Sequence, residues 1–405
     1  MSKDASRFEW ATPRTGECER ADSASGREAA STPRGRAPSA GGPAGARGDG
    51  DPFPSPRART LGVGQARTER VTEDEPRVRW RFGTDGRFDA EPSVDSGTVY
   101  LGCTDGCAYA LDAETGAERW RFDTGGRPTA PTVADAAAAD GATTKRSAYV
   151  GTDAGELLAL DAETGAERWR YATAGGLEAA PVVAEAAVYA ADDGGRVAAV
   201  HAVDGSRLRT FQNAARAVCS LAVDDGRLLL ASLDGGAYAR DRTDGRERWR
   251  FEPGAAVHGA PTVDDGLAYL GTVDGGRVHA VSAVTGREQW RFETGAGVWA
   301  APVVADGAVF VGGGDGRVYA LDAADGTERW RFDTGARIWA SPTLDDGTVV
   351  AGNDRGEVVA LDAETGAERW RFRADDAVVS SPVVADGSVY VGDCGGTVYA
   401  LDPPA

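Results

Sequence analysis

Pro302-Val303-Val304, Ala308-Val309-Phe310-Val311, Arg317-Val318-Tyr319-Ala320-Leu321 and Glu328-Arg329-Trp330-Arg331-Phe332 are four short runs rich in β-branched and aromatic residues. Asp306-Gly307, Gly314-Asp315-Gly316 and Asp325-Gly326 separate them. Asp-Gly pairs supply the positive φ angles that tight hairpins require, so residues 301–332 read as an antiparallel meander of four strands. A sheet of that size cannot cover both of its apolar faces alone. Such units must therefore stack on one another.

The same phrase returns along the chain. Trp80, Trp120, Trp169, Trp249, Trp290, Trp330 and Trp370 each stand just before Arg-Phe or Arg-Tyr, at a spacing of about forty residues, the period of a four-stranded propeller blade. The step from Trp120 to Trp169 is longer because Ala136 to Arg146 is inserted in one loop, and the step from Trp169 to Trp249 spans two units. A degenerate copy fills that double step, with Arg209 at the Trp position and Phe211 at the Phe position. Counting the strand that opens each unit gives eight, beginning at Pro92, Pro131, Pro181, Leu221, Pro261, Pro302, Pro342 and Pro382. Units of this kind stack radially, so the expected fold is all-β, an eight-bladed β-propeller of four-stranded antiparallel blades. The last unit stops at Leu401-Asp402 without its Trp strand, whereas Arg79 to Phe82 is a Trp strand with no unit before it. The N-terminal strand is expected to complete the eighth blade, closing the ring and removing the open sheet edges that template aggregation.

Residues 1–76 are rich in Pro, Gly, Ala, Ser and Arg and show no period of 2 or 3.6. Too little apolar area is available there to offset ordering entropy, so a disordered low-complexity tail is expected ahead of a propeller over residues 77–405. Residues 1–77 carry 13 Lys/Arg against 12 Asp/Glu, which leaves 31 against 51 for the remainder. A field that acidic repels phosphate backbones and anionic headgroups, which argues against nucleic acid and membrane surfaces as partners. With only Lys3 and Lys145 as lysines, the composition resembles that of proteins from halophilic, archaeon-like sources. No stretch has the eighteen or so apolar residues of a membrane helix, and the first thirty residues lack the apolar core of a signal peptide. Cys18 has no preceding apolar run of the kind a lipoprotein cysteine needs. As written, the chain is expected to be a cytoplasmic monomer. Met1 is the only methionine, and a different start would make an extracytoplasmic location the expectation.

Ala110-Leu111-Asp112-Ala113-Glu114-Thr115-Gly116-Ala117-Glu118-Arg119-Trp120 resembles the tryptophan-docking motif, Ala-x-Asp-x-x-x-Gly-x-x-x-Trp, of pyrroloquinoline-quinone (PQQ) repeat proteins. The motif recurs nearly intact ending at Trp169, Trp330 and Trp370, and the resemblance covers residues 78–405. It implies that each Trp ring packs into the neighbouring blade, as a large apolar ring beside a glycine can. In the middle of the chain the motif decays: His201 and Ser282 replace the Asp, and Arg240 replaces the preceding Leu. Two kinds of protein share this ring. Quinoprotein alcohol and sugar dehydrogenases hold PQQ and Ca²⁺ over the channel and use an Asp as base. Non-catalytic propellers, such as the bacterial outer-membrane assembly lipoprotein, bind protein segments. The dehydrogenases also carry two adjacent cysteines and long insertions; here no two cysteines are adjacent and no room is left for such insertions. The lipoprotein's export signal and acylated cysteine are missing too. The expectation is a non-catalytic binding or scaffold propeller without cofactor that takes a protein segment or small ligand on its loop face. The alternative is a PQQ-dependent oxidoreductase with PQQ and Ca²⁺.

In a propeller, the loops joining one blade's outer strand to the next blade's inner strand lie on the same face as the hairpins between second and third strands. Three residues before the Pro position, the eight units read Asp89, Pro128, Glu178, Val218, His258, Trp299, Trp339 and Val379. A purely structural position would read nearly alike in every blade. Asp89, Glu178, His258, Trp299 and Trp339 are therefore the candidate ligand-binding residues, a mixture of apolar walls and polar anchors at the channel mouth. Ordinary loop variation is the plain alternative. Asp89 and Glu178 offer only two side chains where Ca²⁺ takes six to eight oxygens. Cys103 and Cys107 bracket Thr104-Asp105-Gly106 across a hairpin, with Cys394 in the equivalent turn of the eighth blade, but zinc would lack a fourth ligand. No metal site is expected; the cysteines read as a cross-strand disulfide or free thiols, and Cys219 as core. Asp192-Asp193, Asp234, Asp274 and Asp354 at hairpin tips read as a cation-attracting rim or as turn chemistry. With no Ser/His/Asp arrangement, phosphate-binding glycine loop or paired catalytic carboxylates at a recognisable spacing, no catalytic residue is named.

Overall fold

A computed structural model of the chain describes residues 75–135, 146–212 and 218–404, apart from the side chain of Cys219. The readings of residues 1–74 as a disordered tail and of Cys219 as core fall outside the described residues, as does the inserted loop up to residue 145. Thirty-two strands form eight four-stranded sheets, and among the described residues there is no helix. In blade 6 the strands run Val303–Ala305, Ala308–Gly312, Arg317–Asp322 and Glu328–Asp333 from the inner strand outward, and each pairs antiparallel with the next. Asp306 and Gly307 turn the first hairpin with φ of 51° and 69°, the two positive angles of a type I′ turn.

The recurring Asp-x-x-Thr-Gly phrase has a local cause. Asp112 Oδ1 accepts hydrogen bonds from the Thr115 N–H (2.9 Å) and hydroxyl (2.8 Å), and its Oδ2 accepts one from Arg119 at 2.7 Å. Asp161 and Asp362 hold their Thr and Arg in the same way. Past this turn a β-bulge falls opposite Ala110/Leu111, and the corresponding bulge returns in the other blades. Such a bulge re-aims the side chains that follow it. Beyond it, the Trp of one blade reaches the next. Trp80 Nε1 donates to the Ala113 carbonyl at 2.9 Å, and Trp120, Trp169, Trp249, Trp290 and Trp330 donate to Ala162, Ala202, Ala283, Ala323 and Ala363. Each ring lies so close to the turn glycine that a Cβ on Gly116 would come within 2.6 Å of Trp80. With φ of +72°, that glycine is required for both its backbone and its missing side chain.

The core is accordingly a series of blade-to-blade interfaces. At the seam of the ring, Trp80, Tyr390 and Val398 of blade 8 pack with Val99, Leu101 and Tyr109 of blade 1. The seam closes as the sequence implies: Arg77–Gly83 pairs antiparallel with Thr397–Asp402, Trp80 lying opposite Ala400 and Phe82 opposite Val398. Arg79 pairs with Asp402 at 2.5 Å and bonds Ser388 at 2.7 Å, while the Tyr390 hydroxyl crosses to the Ala113 carbonyl at 3.2 Å. One interface departs from the pattern. Arg209 is exposed, Phe211 takes the place against Gly245 that a Trp takes elsewhere, and the guanidinium of buried Arg240 lies 6.0 Å from the Phe211 ring.

Candidate functional site at the channel mouth

The loops leading into the inner strands are held by backbone bonds on two sides. Within blade 1 the Thr104 N–H donates to Arg87 O at 3.0 Å, and the Phe88 N–H donates to Asp393 O of blade 8 at 3.3 Å. Asp354 with Arg337 and Val378 with Asn353 repeat the two bonds elsewhere in the ring. The loops therefore share a face with the hairpins between second and third strands. Four residues before the Pro position, Phe88, Leu177, Val257, Val298, Ile338 and Val378 are buried to 1% exposure or less. Several of them fill the space beside a glycine of the preceding blade; a Cβ on Gly392 would meet Phe88 at 2.5 Å, and one on Gly312 would meet Ile338 at 2.3 Å. With that residue turned inward, the next is left at the mouth.

Sequence reasoning chose this next position. The structure brings three of its five candidates together: His258 and Trp299 have ring centroids 5.7 Å apart, Trp299 and Trp339 5.2 Å, both edge-on. His258 Nδ1 lies 3.2 Å from the Trp299 carbonyl, and burial lowers the imidazole pKa, which keeps the ring neutral at pH 7. Trp339 rests on Ala377, Val379 and Cys394, with the Arg337 guanidinium 5.9 Å from its ring centre. Asp89 and Glu178 stand apart from this aromatic row, on blades 1 and 3. Asp89 accepts from Arg127 at 2.7 Å; burial nevertheless raises its pKa, against the lowering effect of Arg127 and Arg87. Glu178 keeps its side chain in contact with solvent, yet the crowding of the mouth, then Asp193, raises its pKa.

In ring order the mouth is divided. Blades 1 to 3 present Asp89, Pro128 and Glu178; blades 5 to 7 present His258, Trp299 and Trp339; Val218 and Val379 on blades 4 and 8 separate the two arcs. In a ring of eight, blades 1 to 3 lie opposite blades 5 to 7. Sequence reasoning missed Glu91, two residues beyond Asp89. Desolvation by the surrounding channel raises its carboxyl to about 6, although the side chain still meets solvent. The signal was present one residue before the Pro position, where the other seven units read Ala130, Ala180, Ser220, Ala260, Ala301, Ser341 and Ser381. At that level Ser341 Oγ accepts from the Ala301 N–H at 3.0 Å and Ser381 Oγ from the Ser341 N–H at 3.2 Å, stitching neighbouring blades. One long acid stands in a ring of small residues.

Among the described residues no three of His, Cys, Asp and Glu come together in a way that fits a metal ion. Cys103, Cys107 and Cys394 are free thiols, so of the two readings of the cysteine hairpin the structure has the thiols. Burial pushes Cys103 and Cys394 up to about 12, which leaves them protonated and unreactive at neutral pH. At the hairpin tips Asp192 is buried and accepts from the Arg196 N–H at 2.8 Å, and Asp234 bonds the Ser232 hydroxyl at 2.7 Å, as turn residues do.

The family model described as outer membrane protein assembly factor BamB matches in five overlapping stretches, residues 65–141, 137–220, 215–296, 274–352 and 314–404. The chain belongs to the BamB family. No curated protein sequence matches it. Among solved structures, this BamB-family chain is similar to BamB from Moraxella catarrhalis, with 20% identity, coverage of 81% of this chain and 99% of that one, and a TM-score of 0.67. It is also similar to the computationally designed Ika8 protein (19% identity, 79% and 97% coverage, TM-score 0.70). Sqt1 from Saccharomyces cerevisiae gives 13% identity, 80% and 98% coverage and a TM-score of 0.69. At these identities the structural likenesses bear on the fold of the BamB-family ring alone.

Proposed function

We propose that this BamB-family propeller is a non-catalytic scaffold that holds a protein segment at its channel mouth. The segment places a cationic group against Asp89, Glu91 and Glu178 and an apolar side chain against His258, Trp299 and Trp339. The observation that carries this reading is the division of the mouth into a carboxylate arc and an opposing aromatic arc. A cation over an indole face gains about 0.5–2 kcal/mol, and Arg337 already uses Trp339 in this way. The description of the family as an assembly factor supports a protein partner over a small molecule. Neither a catalytic residue nor a cofactor enters this reading. PQQ with Ca²⁺ fits the mouth poorly, since Ca²⁺ takes six to eight oxygens and no cluster of three acidic or ligating side chains is found among the described residues.

The test is titration of the full chain with peptides carrying Arg beside Trp or Leu, read by tryptophan emission and calorimetry. Binding is expected to strengthen as pH rises through about 6, where Glu91 ionises, and to weaken about tenfold in Glu91→Gln and in Trp299→Ala. Binding that ignores both substitutions would remove the mouth as the site. Stoichiometric uptake of PQQ with Ca²⁺, together with dye-linked alcohol oxidation, would replace this reading with an oxidoreductase.

A further inference from the structure

The outer strand of blade 3, Arg207–Gln212, differs from its counterparts as a set. In six blades this strand opens with a Glu that pairs with the Arg three residues on: Glu118 with Arg121, Glu167 with Arg170, Glu247 with Arg250, Glu288 with Arg291, Glu328 with Arg331 and Glu368 with Arg371. In blade 3 the same places hold Arg207 and Thr210, the buried Trp is replaced by exposed Arg209, and the intervening Arg by Leu208, which is 47% exposed. The preceding turn changes with it. His201 stands for the Asp that pairs with that Arg in five blades, and Val203, 43% exposed, stands where blades 1, 2 and 7 have a Glu and blade 5 has the exposed Val284. The acid in this turn, Asp204, is engaged by the Ser206 N–H at 2.9 Å and lies 3.7 Å from His201. Arg207 and Arg209 make no ion pair among the described residues. Arg207 also lines a recess of about 230 Å³ together with exposed Arg196, which has no ion pair among the described residues, with buried Asp192, and with Tyr171 and Thr173 of blade 2.

In the six blades with that Glu, the arginines of the outer strand all have an acidic partner, so two neighbouring arginines without one set this strand apart. Two exposed aliphatic side chains lie beside them, and the strand is the free edge of its sheet. We propose that this edge docks an acidic, extended segment of a partner protein, which adds a fifth strand to blade 3 by antiparallel pairing with residues 207–211. Its carboxylates meet Arg207 and Arg209, and its apolar residues cover Leu208 and Val203. Strand addition supplies affinity through main-chain bonds, and alternate side chains supply specificity. Elsewhere the acidic surface of the ring repels such a segment, so the two arginines mark an outer strand where an acidic guest is accepted. This surface is independent of the channel mouth, which favours a cationic segment.

A synthetic peptide of alternating Glu and Val serves as the probe, with a copy interrupted by Pro and a Lys/Val copy as controls, all titrated against the full chain by fluorescence anisotropy. The Glu/Val peptide is expected to bind, and the Pro and Lys copies to bind at least about tenfold more weakly, since Pro removes ladder donors and Lys reverses the charge. Arg207→Glu with Arg209→Glu should lower affinity by a similar factor without shifting the melting temperature, because both side chains are exposed. Giving the strand the pattern of its neighbours, Arg207→Glu with Leu208→Arg, should do the same, whereas Glu91→Gln and Trp299→Ala should leave binding intact. Equal binding of the Pro copy would overturn strand addition. Equal binding by both arginine variants would overturn the site.

Discussion

At Trp290 one neighbour satisfies two demands. The indole N–H reaches Ala323 O at 2.9 Å, and the ring face closes over Gly326, where a Cβ would meet it at 2.5 Å. Trp290→Ala should therefore cost roughly 3–5 kcal/mol in thermal or denaturant unfolding, as large-to-small changes in a packed interface do. Arg209→Ala, at the same position of blade 3 but exposed, should stay within about 0.5 kcal/mol of the parent. Glu91 makes a different demand. Its folded pKa of about 6 lies above the ordinary 4.5, so the folded ring holds this proton more tightly than the unfolded chain does. The stability it contributes is present in full below pH 4.5 and is lost as pH rises through 6. Melting curves from pH 4 to 7 should show Glu91→Gln gaining on the parent across that window, and parallel curves would contradict it. The row of docking tryptophans was legible in the sequence because each repeats a chemical phrase. Glu91 was not, because its importance comes from the channel around it rather than from its neighbours in the chain. The clustering of His258, Trp299 and Trp339 was readable as a shared repeat position, while their edge-on contacts depend on ring curvature that spacing does not encode.

The strand Arg77–Gly83 shows how an element can belong to one blade in space and to the other end of the chain in sequence. A missing outer strand at residue 402 and an orphan one at residue 77 were enough to infer the pairing, since each end leaves unpaired what the other supplies. Removing the strand exposes the third strand of blade 8 and the surface under Trp80. Burial of one Trp takes some 150–250 Å² from water, about 4–6 kcal/mol as an upper figure. A chain beginning at Gly83 should melt well below one beginning at Glu75 and should self-associate through the open edge, as sedimentation would show. Equal melting temperatures and monomeric behaviour would refute closure by this strand. The degenerate blade 3 was legible only in outline. Arg209 at the Trp position was plain, but the use of Phe211 against Gly245, stacked under Arg240, could be seen only once two blades were placed side by side.

Across the whole ring, 51 acidic residues face 31 basic ones over residues 78–405. Many acids sit in local pairs such as Asp112 with Arg119 and Asp362 with Arg369, and the excess is left to repel itself. Salt shortens the range of that repulsion from roughly 10 Å at 0.1 M to 3 Å at 1 M. The melting temperature should climb with KCl through this range, and a flat response would show that the local pairs already balance the field. The seam between blades 8 and 1 also has a consequence during synthesis. The closing strand is the first part of the ring to leave the ribosome, and its partner, Thr397–Asp402, comes more than 300 residues later. At roughly 5–20 residues per second, the strand waits about 15–65 s for the one it finally pairs with. Over that interval Trp80 can already reach Ala113 and Gly116 of blade 1, but the ladder edge of its strand stays unpaired and the stack of blades has not yet met itself, so whatever occupies that edge in the cell must let go when Leu401 arrives.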